Sequence, residues 1–253
     1  MTAWLQRLAP NPRSPVRLFC FHHAGGSAAA YRLWPQRLPE FDVCAVQLPG
    51  RANRFGEAPI GSIPMLVDRL IPELLPQLDR PYAFFGHSFG AVLASAIAHG
   101  LAARDAPPPT HLFVSARRPA HMAYSEPSLV ALSDAELLSE VHRRYGGFPP
   151  EVLDEPELLE LMLPALRADL EALEAFRPPL PTPLPLPITA YGGDDDRWTP
   201  LAHLEAWQAD TALPLRIRRF AGAHFYLDSE LDQILRDVRS SLSFSAVGPH
   251  ARG

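Results

Sequence analysis

Residues Gly86-His87-Ser88-Phe89-Gly90 form a G-x-S-x-G pentapeptide, and the interpretation of the whole chain starts from them. The apolar residues 82–85 before it are typical of a buried strand, and the small residues 91–98 after it are typical of a helix. A serine on such a tight turn is strained, and the flanking glycines avoid collisions that larger side chains would make. The context predicts a nucleophile elbow that presents Ser88. A glycine-rich turn without catalytic function is the alternative.

Length and composition indicate one globular domain. The 253 residues are 47% hydrophobic and 20% charged, which suits one α/β domain. No apolar run approaches the roughly 20 residues that span a bilayer, and residues 1–15 lack the apolar core of a signal peptide. We therefore expect a single domain over residues 1–253 that is cytoplasmic and does not enter a membrane.

Charge and cysteine content argue against several functions. The net charge of −5 disfavours nucleic-acid binding. All 23 basic residues are arginine, which excludes a Schiff-base lysine, a Walker-type phosphate loop and a Ser-Lys dyad. Cys20 and Cys44 lie in apolar, strand-like runs, and two cysteines make no disulfide framework. We expect both thiols to be free and buried.

Six apolar runs predict the α/β class, with a mostly parallel sheet flanked by helices. Continuous apolar character suits strands that are covered on both faces. The runs are residues 16–21, 43–47, 82–85, 112–115, 188–191 and 215–220.

The alternation of strands and helices stops between the fourth and fifth runs. Residues 122–177 have helical patterns only, including a capping box at Ser133 and Glu136. The segment is too long for a plain loop, so we predict a helical lid inserted over the strand ends. Its residues 133–174 hold 11 acidic side chains and three arginines, which we interpret as a solvated face. Six prolines between 178 and 187 predict a stiff connector. Residues 243–253 are predicted to form a flexible tail.

A serine nucleophile needs a base, and the base needs an acid that orients it. In a fold with a nucleophile elbow these groups lie on loops after late strands, the acid before the histidine. His224 follows the sixth run and is the predicted base. His87, His203 and His250 are interpreted as ordinary core or surface histidines.

Three consecutive aspartates compete for the role of the acid. Asp194, Asp195 and Asp196 follow the fifth run, and only one of them can point inward to His224. Asp194 can cap the turn and Asp195 can face water, which favours Asp196.

An oxyanion hole needs two backbone N–H groups. Phe89, directly after the nucleophile, supplies one. The glycine-rich residues 23–27 follow the first strand run and place Ala24 as the second donor. A metal site at His22 and His23 is disfavoured because adjacent side chains diverge and no other ligand has suitable spacing, so we expect no metal.

Six motifs, in this order along the chain, resemble the type II thioesterases that accompany polyketide synthases and nonribosomal peptide synthetases. The similarity extends over about residues 16–235. The motifs are His-Ala-Gly-Gly-Ser at 23–27, Gln-Leu-Pro-Gly-Arg at 47–51, the pentapeptide at 86–90, Leu-Pro-Ala-Leu-Arg-Ala-Asp at 163–169, Gly-Asp-Asp-Asp at 193–196 and His-Phe-Tyr-Leu at 224–227.

The resemblance implies an α/β-hydrolase fold with a triad at Ser88, Asp196 and His224. Stand-alone members hydrolyse unwanted acyl groups from the phosphopantetheine arm of acyl or peptidyl carrier proteins, without a metal or redox cofactor. Carrier domains of a synthase are therefore the expected partners, and we expect a monomer. The chain departs from the family pattern at three positions: His22 replaces a usual proline, Asn53 an acidic residue and Ala223 a glycine.

Two groups of residues are candidates for binding substrate or partner. Helical lid residues are predicted to line an acyl channel, and arginines on loops beyond strand ends can bind the pantetheine phosphate or an acidic carrier protein. Pairing of these arginines with Glu57 or with the acidic lid is an equal alternative. The lid residues are Leu137, Leu138, Val141 and Leu161, and the arginines are Arg51, Arg54, Arg117 and Arg118.

Three other functions use the same motifs. A carboxylesterase or lipase shares the triad and should hydrolyse small oxygen esters well, and an acyltransferase passes the acyl group to an amine or alcohol. A catalytically silent binding module is expected to lose a triad member, and none is missing here.

Overall fold

The six apolar runs and one further short strand form a seven-stranded sheet in the computed structural model, which describes residues 3–123, 126–146 and 155–245. The spatial order is β1-β3-β2-β4-β5-β6-β7, and every neighbouring pair is parallel except β1 with β3. The predicted α/β class with a mostly parallel sheet is confirmed. The strands are β1 (Leu5–Arg7), β2 (Arg17–Phe21), β3 (Asp42–Val46), β4 (Tyr82–His87), β5 (His111–Ser115), β6 (Ile188–Gly193) and β7 (Arg216–Phe220).

Helices cover both faces of the sheet. Side chains of α2 and α3 pack on one face in a core that includes Leu66, Leu70 and Ile97, and α1 and α8 pack on the other with Trp34 and Ile234. Helices α4 and α5 lie in the connection from β5 to β6. The helices are α1 (Trp34–Arg37), α2 (Ile63–Leu74), α3 (Phe89–Ala102), α4 (Asp134–Tyr145), α5 (Pro156–Ala175), α6 (Leu201–Glu205), α7 (Tyr226–Ser229) and α8 (Leu231–Ser245).

Several details differ from the expectations. Strand β1 was not predicted, because three residues are too short for a recognisable pattern. Strand β7 lies at the sheet edge, so most of its side chains are exposed and not buried on both faces. Within 122–177 regular helix begins only at Asp134, after turns and bends. Most of the predicted tail, with His250, lies outside the described residues, and α8 extends to Ser245.

The two cysteines are free and buried, as expected. Burial raises the pKa of both thiols, that of Cys44 to about 12. Among the described residues, no helix combines the length and apolarity that crossing a bilayer requires.

The sheet topology determines where functional loops meet. After β2 the chain forms β3 on one side and then β4 on the other, so the direction of strand order reverses between β2 and β4. Residue Phe21 at the end of β2 is in register with Gly86 near the end of β4. Loops after two such strands diverge to opposite faces and leave a crevice at the carboxyl edge of the sheet. The glycine-rich residues 23–27 and Ser88 lie at this crevice.

Candidate active site

Ser88 occupies the turn between β4 and α3 with a backbone that few residues adopt. Its φ is 54° and its ψ is −113°, and its N–H donates to the carbonyl oxygen of Ser115 at 2.8 Å. A Cβ atom on Gly86 would lie 2.2 Å from the oxygen of Gly90, and one on Gly90 would lie 2.0 Å from the oxygen of Phe21. Both contacts are impossible, so both glycines are required by the turn.

His224 and Asp196 form a buried pair on neighbouring loops. The loops follow β7 and β6, which are paired in register, and Nδ1 of His224 lies 2.9 Å from Oδ2 of Asp196. A carboxylate only accepts, so Nδ1 carries the proton and the lone pair of the neutral ring is on Nε2. The residues are 2% and 6% exposed. This is the orientation that a general base requires.

Further hydrogen bonds keep Asp196 ionised. Burial would raise its pKa, but hydrogen bonding to His224, the backbone N–H of Trp198 and the side chain of Thr199 outweigh burial and hold the pKa below its ordinary value. Asp194 and Asp195 are exposed, and Asp194 pairs with Arg219 on the edge strand. The structure therefore singles out Asp196 among the three aspartates.

The elbow and the histidine loop are adjacent. The ring of His87 lies 5.3 Å from the ring of His224, centroid to centroid. Nδ1 of His87 is 2.8 Å from Oγ of Ser115, which is hydrogen-bonded to Tyr226. The hydrogen bonds of the described residues include none between Ser88 and His224. Such a bond is often long without substrate and tightens when substrate binds.

The two predicted oxyanion donors lie on the two loops of the crevice: Ala24 is on the loop after β2, and Phe89 directly follows Ser88. Neither N–H has a hydrogen-bond acceptor among the described residues. Gly25, the next residue after Ala24, has a φ of 70°, which glycine adopts without strain. Two unoccupied N–H donors beside a nucleophile are the elements of an oxyanion hole.

A buried ion pair that the sequence reasoning missed supports this loop. The guanidinium of Arg51 contacts both carboxylate oxygens of Asp169, at 2.6 and 3.0 Å, and the N–H of Gly25 donates to the same carboxylate at 2.8 Å. Asp169 is fully buried on α5. A lone aspartate on the apolar face of this helix, between Ala168 and Leu170, was the available signal, because a buried carboxylate needs a partner.

His22 lies beside this ion pair. It is 2% exposed, and its Nδ1 is 2.8 Å from the carbonyl oxygen of His23. Burial, and then the positive charge of Arg51, lower the pKa of His22 well below its ordinary value. The ring is therefore neutral at neutral pH, which is consistent with a bracing position and not with an acid–base role. No group of metal-binding side chains is found in the described ranges.

The predicted channel residues have a different arrangement. Leu137 and Val141 are buried in a cluster that joins α4 to α5, and Leu138 is partly buried against it. Leu161 is 47% exposed, and its place in a channel stays a prediction. The cluster also contacts Ala24, so it packs on the glycine-rich loop. These three side chains hold the two helices together rather than line an open channel.

The end of α4 contacts the predicted base. The ring of Tyr145 lies 4.6 Å from that of His224, and the guanidinium of Arg144 lies 4.9 Å from the ring centroid of Trp198 on the acid loop. A cleft between these segments opens on His224 and Asp196.

Most of the predicted binding arginines are paired within the chain. Arg51 is held by Asp169, and Arg54 pairs with Glu57. Arg118 is 6% exposed and contacts Glu126 at 3.2 Å. The prediction that these three contact a partner is therefore wrong, and the alternative of internal pairing describes them. Arg117 is half-buried, and its role stays a prediction.

Known proteins share this sequence and fold. The thioesterase domain family model matches residues 16–242. Linear gramicidin dehydrogenase LgrE of Brevibacillus parabrevis is 38% identical over 97% of this chain and 94% of that protein. Thioesterase PikA5 of Streptomyces venezuelae is 36% identical over 98% of this chain and 89% of that protein. The solved structure of the type II thioesterase BorB from the borrelidin biosynthetic cluster has a TM-score of 0.86 and 36% identity, covering 94% of this chain and 97% of BorB.

LgrE is named as a dehydrogenase, whereas the family model, PikA5 and BorB are all named as thioesterases. The chain superimposes on thioesterases of known structure over more than nine tenths of its length. The resemblance of the six motifs to type II thioesterases is thus confirmed, and the chain belongs to the thioesterase family, with the α/β-hydrolase fold.

Proposed function

We propose that this thioesterase releases acyl groups from the phosphopantetheine arm of acyl or peptidyl carrier proteins, as an editing enzyme of a polyketide or nonribosomal peptide synthase. The observation that carries the proposal is the buried His224–Asp196 pair beside a strained serine elbow. The relatives PikA5 and BorB, named as thioesterases and the latter from a biosynthetic cluster, support the substrate class.

The proposed mechanism has two acyl-transfer steps. Oγ of Ser88 attacks the thioester carbonyl carbon while Nε2 of His224 takes its proton, and Asp196 stabilises the resulting imidazolium. The N–H groups of Ala24 and Phe89 donate to the oxyanion. The carbon–sulfur bond then breaks, and the thiolate receives the proton from His224. A thiol has a pKa of about 8.5, so it leaves with less assistance than an alcohol.

Water completes the reaction. His224 removes a proton from a water molecule as the water oxygen attacks the acyl-enzyme carbonyl, and the second tetrahedral intermediate collapses to the free acid and Ser88. Each proton that His224 accepts is returned to a leaving group. Chain residues alone supply the acid, the base and the oxyanion donors in this scheme.

The insertion that contains α4 and α5 is proposed to act as a lid over this site. Contact of Tyr145 with His224 supports this role, because the end of α4 lies directly over the base. The cleft at this contact is also lined by Arg143 and Arg197, both exposed. Arg143 already donates two hydrogen bonds to Glu140, so we assign the binding of the pantetheine phosphate to Arg197, since arginine binds phosphate with two parallel hydrogen bonds.

Hydrolysis of matched substrates tests the proposal. The same acyl group is offered on a carrier protein, on free pantetheine and as an ethyl ester, to the parent enzyme and to Ser88→Ala. We expect the highest kcat/KM on the carrier protein, free acid as the product and no turnover by a folded Ser88→Ala protein. Preference for the ester indicates an esterase, transfer to an added alcohol or amine indicates an acyltransferase, and no turnover by the parent enzyme indicates a binding module.

A further inference from the structure

A second cavity lies beside α2 and α3, apart from the cleft at His224. Its volume is about 450 Å³, within the range of about 300–1,000 Å³ that is usual for small-molecule sites. Its walls are mainly apolar. They include Ile63 and Val67 of α2, Val92 and Ala96 of α3, Phe176 and Trp207.

A buried carboxylate with an unused oxygen lines this cavity. Asp210 is 4% exposed, and its Oδ1 accepts a hydrogen bond from Oγ of Ser95 at 3.3 Å. Its Oδ2 accepts none from the described residues. A buried charged acceptor without a donor costs free energy, which a ligand with a suitable donor would offset.

Two histidines flank Asp210 without satisfying it. Nε2 of His99 lies 3.4 Å from Oδ1, and Nδ1 of His121 lies 3.5 Å from Oδ2. Neither contact has hydrogen-bond geometry, and Nε2 of His99 also lacks a partner among the described residues. The polar end of the cavity therefore combines one carboxylate with a serine and two imidazoles, all within reach of a ligand.

The polar end is separated from the proposed nucleophile. Ser95 and His99 lie on α3 roughly 10–16 Å along the helix from Ser88, at 1.5 Å per residue. The cavity is also lined by His121, before the insertion, and by Leu180, after it. A molecule in the cavity would thus contact the core and both connectors of α4 and α5.

We propose that this cavity binds a small molecule that carries a protonated amine on an apolar body. The ammonium donates to Oδ2 of Asp210, and the apolar body packs between α2 and α3. Charge complementarity selects this class, because an alcohol lacks the positive charge and a carboxylate would be repelled. The site does not depend on the reaction proposed for Ser88.

Calorimetry with 4-phenylbutan-1-amine at neutral pH tests the site, with 4-phenylbutan-1-ol as the matched uncharged compound. We expect saturable binding of the amine by the parent enzyme and affinity at least about tenfold lower for the alcohol. Asp210→Asn keeps the shape and removes the charge, and should lower the affinity for the amine by about tenfold or more. Asp68→Asn is the control, because Asp68 lines the same cavity but its side chain is 72% exposed.

A second variant covers the case in which Asp210→Asn does not fold. Ala96→Leu fills the cavity from α3 without touching the carboxylate, and should also abolish binding, with thermal unfolding recorded for each protein. Three outcomes overturn the proposal: no saturable binding by the parent enzyme, equal affinity in Asp210→Asn and the parent, or competition between the amine and an acyl substrate. The last would place the amine in the acyl channel.

Discussion

Asp196 differs from Asp194 and Asp195 in its surroundings and not in its chemistry. All three follow β6, but only Asp196 is buried and hydrogen-bonded to His224. Which of the three aspartates can orient His224 is thus set by the direction in which one side chain points from a short loop. A carboxylate at this position fixes the tautomer of the histidine and stabilises its protonated form.

Asp196→Asn should therefore lower kcat for thioester hydrolysis far more than Asp195→Asn. An asparagine at 196 can hold the wrong tautomer of His224, a change that costs about 10⁴ in kcat in serine hydrolases. Asp195 is exposed, so its variant serves as the matched control with near-parental kcat. A large loss of kcat in Asp195→Asn would mean that Asp195, and not Asp196, is the acid.

Single residues also show what could be predicted from the sequence. The elbow was predictable because Gly86, Ser88 and Gly90 lie in one pentapeptide between a strand-like and a helix-like run, although the contact that requires Gly90 comes from Phe21 of β2. The roles of Arg51 and Asp169 were not, because their pairing depends on how the insertion packs on the core, 118 residues apart in sequence. Loop position left Arg51 either available to a partner or paired with the acidic lid, and the structure shows it buried against Asp169.

At the scale of elements, the strands were predictable and the insertion less so. Continuous apolar runs such as that of β4 are typical of central parallel strands, whereas β1 is too short to recognise. Helical spacing predicted helices within 122–177 but not which of their faces meets the core. The face of α5 that meets the core contains Asp169. Its carboxylate pairs with Arg51 and accepts a hydrogen bond from Gly25, which attaches α5 to the glycine-rich loop. We therefore expect α4, and not α5, to move when substrate enters.

A disulfide between residues 61 and 171 tests this expectation. A Cβ built on Gly61 lies 3.5 Å from Cβ of Glu171 on α5, which is a separation found in disulfides. The double variant Gly61→Cys with Glu171→Cys should, once oxidised, keep kcat/KM on acyl carrier protein within about twofold, because α5 is already fixed. The reduced form is the control, and loss of free thiols verifies the bond. A large loss of activity that reductant reverses would show that α5 must move.

At the scale of the whole molecule, charge is unevenly distributed. The cleft at the carboxyl edge of the sheet carries Arg143 and Arg197 on its rim. Arg104 follows the far end of α3, so it lies at the opposite edge of the sheet from Ser88. An acidic carrier protein would be attracted to the first region and not to the second.

Arg197→Glu should raise KM for an acyl carrier protein severalfold and leave KM for a small pantetheine thioester unchanged. Attraction between charges accelerates encounter and is screened by salt, so the parent rate on carrier protein should also fall with ionic strength. Arg104→Glu is the control, with both KM values near those of the parent. Equal changes for both substrates in Arg197→Glu would indicate that Arg197 shapes the acyl site instead.

The stability of the folded chain should depend on pH through His111. This histidine is stacked on Phe113, and burial and the charge of Arg216 lower its pKa from 6.5 to about 4. Between these values residue 111 binds a proton in the unfolded chain and not in the folded chain, so the contribution of His111 to the free energy of unfolding falls by about 3 kcal/mol as the pH falls from 6.5 to 4. Urea unfolding at several pH values measures how the free energy of unfolding changes with pH, and this change should be smaller for His111→Gln than for the parent. An equal change in both proteins would contradict the assignment.

The ion pair of Arg51 with Asp169 has a consequence for the order of folding. Contacts that close long stretches of chain form late, because the entropy of closure is lost before the contact contributes stability. Strands β2, β3 and β4 are close in sequence and can pair before α5 arrives. The N–H of Gly25 donates to Asp169, so we expect the glycine-rich loop to reach its final geometry only when α5 packs on it. During refolding from denaturant, burial of the sheet should therefore recover before thioesterase activity.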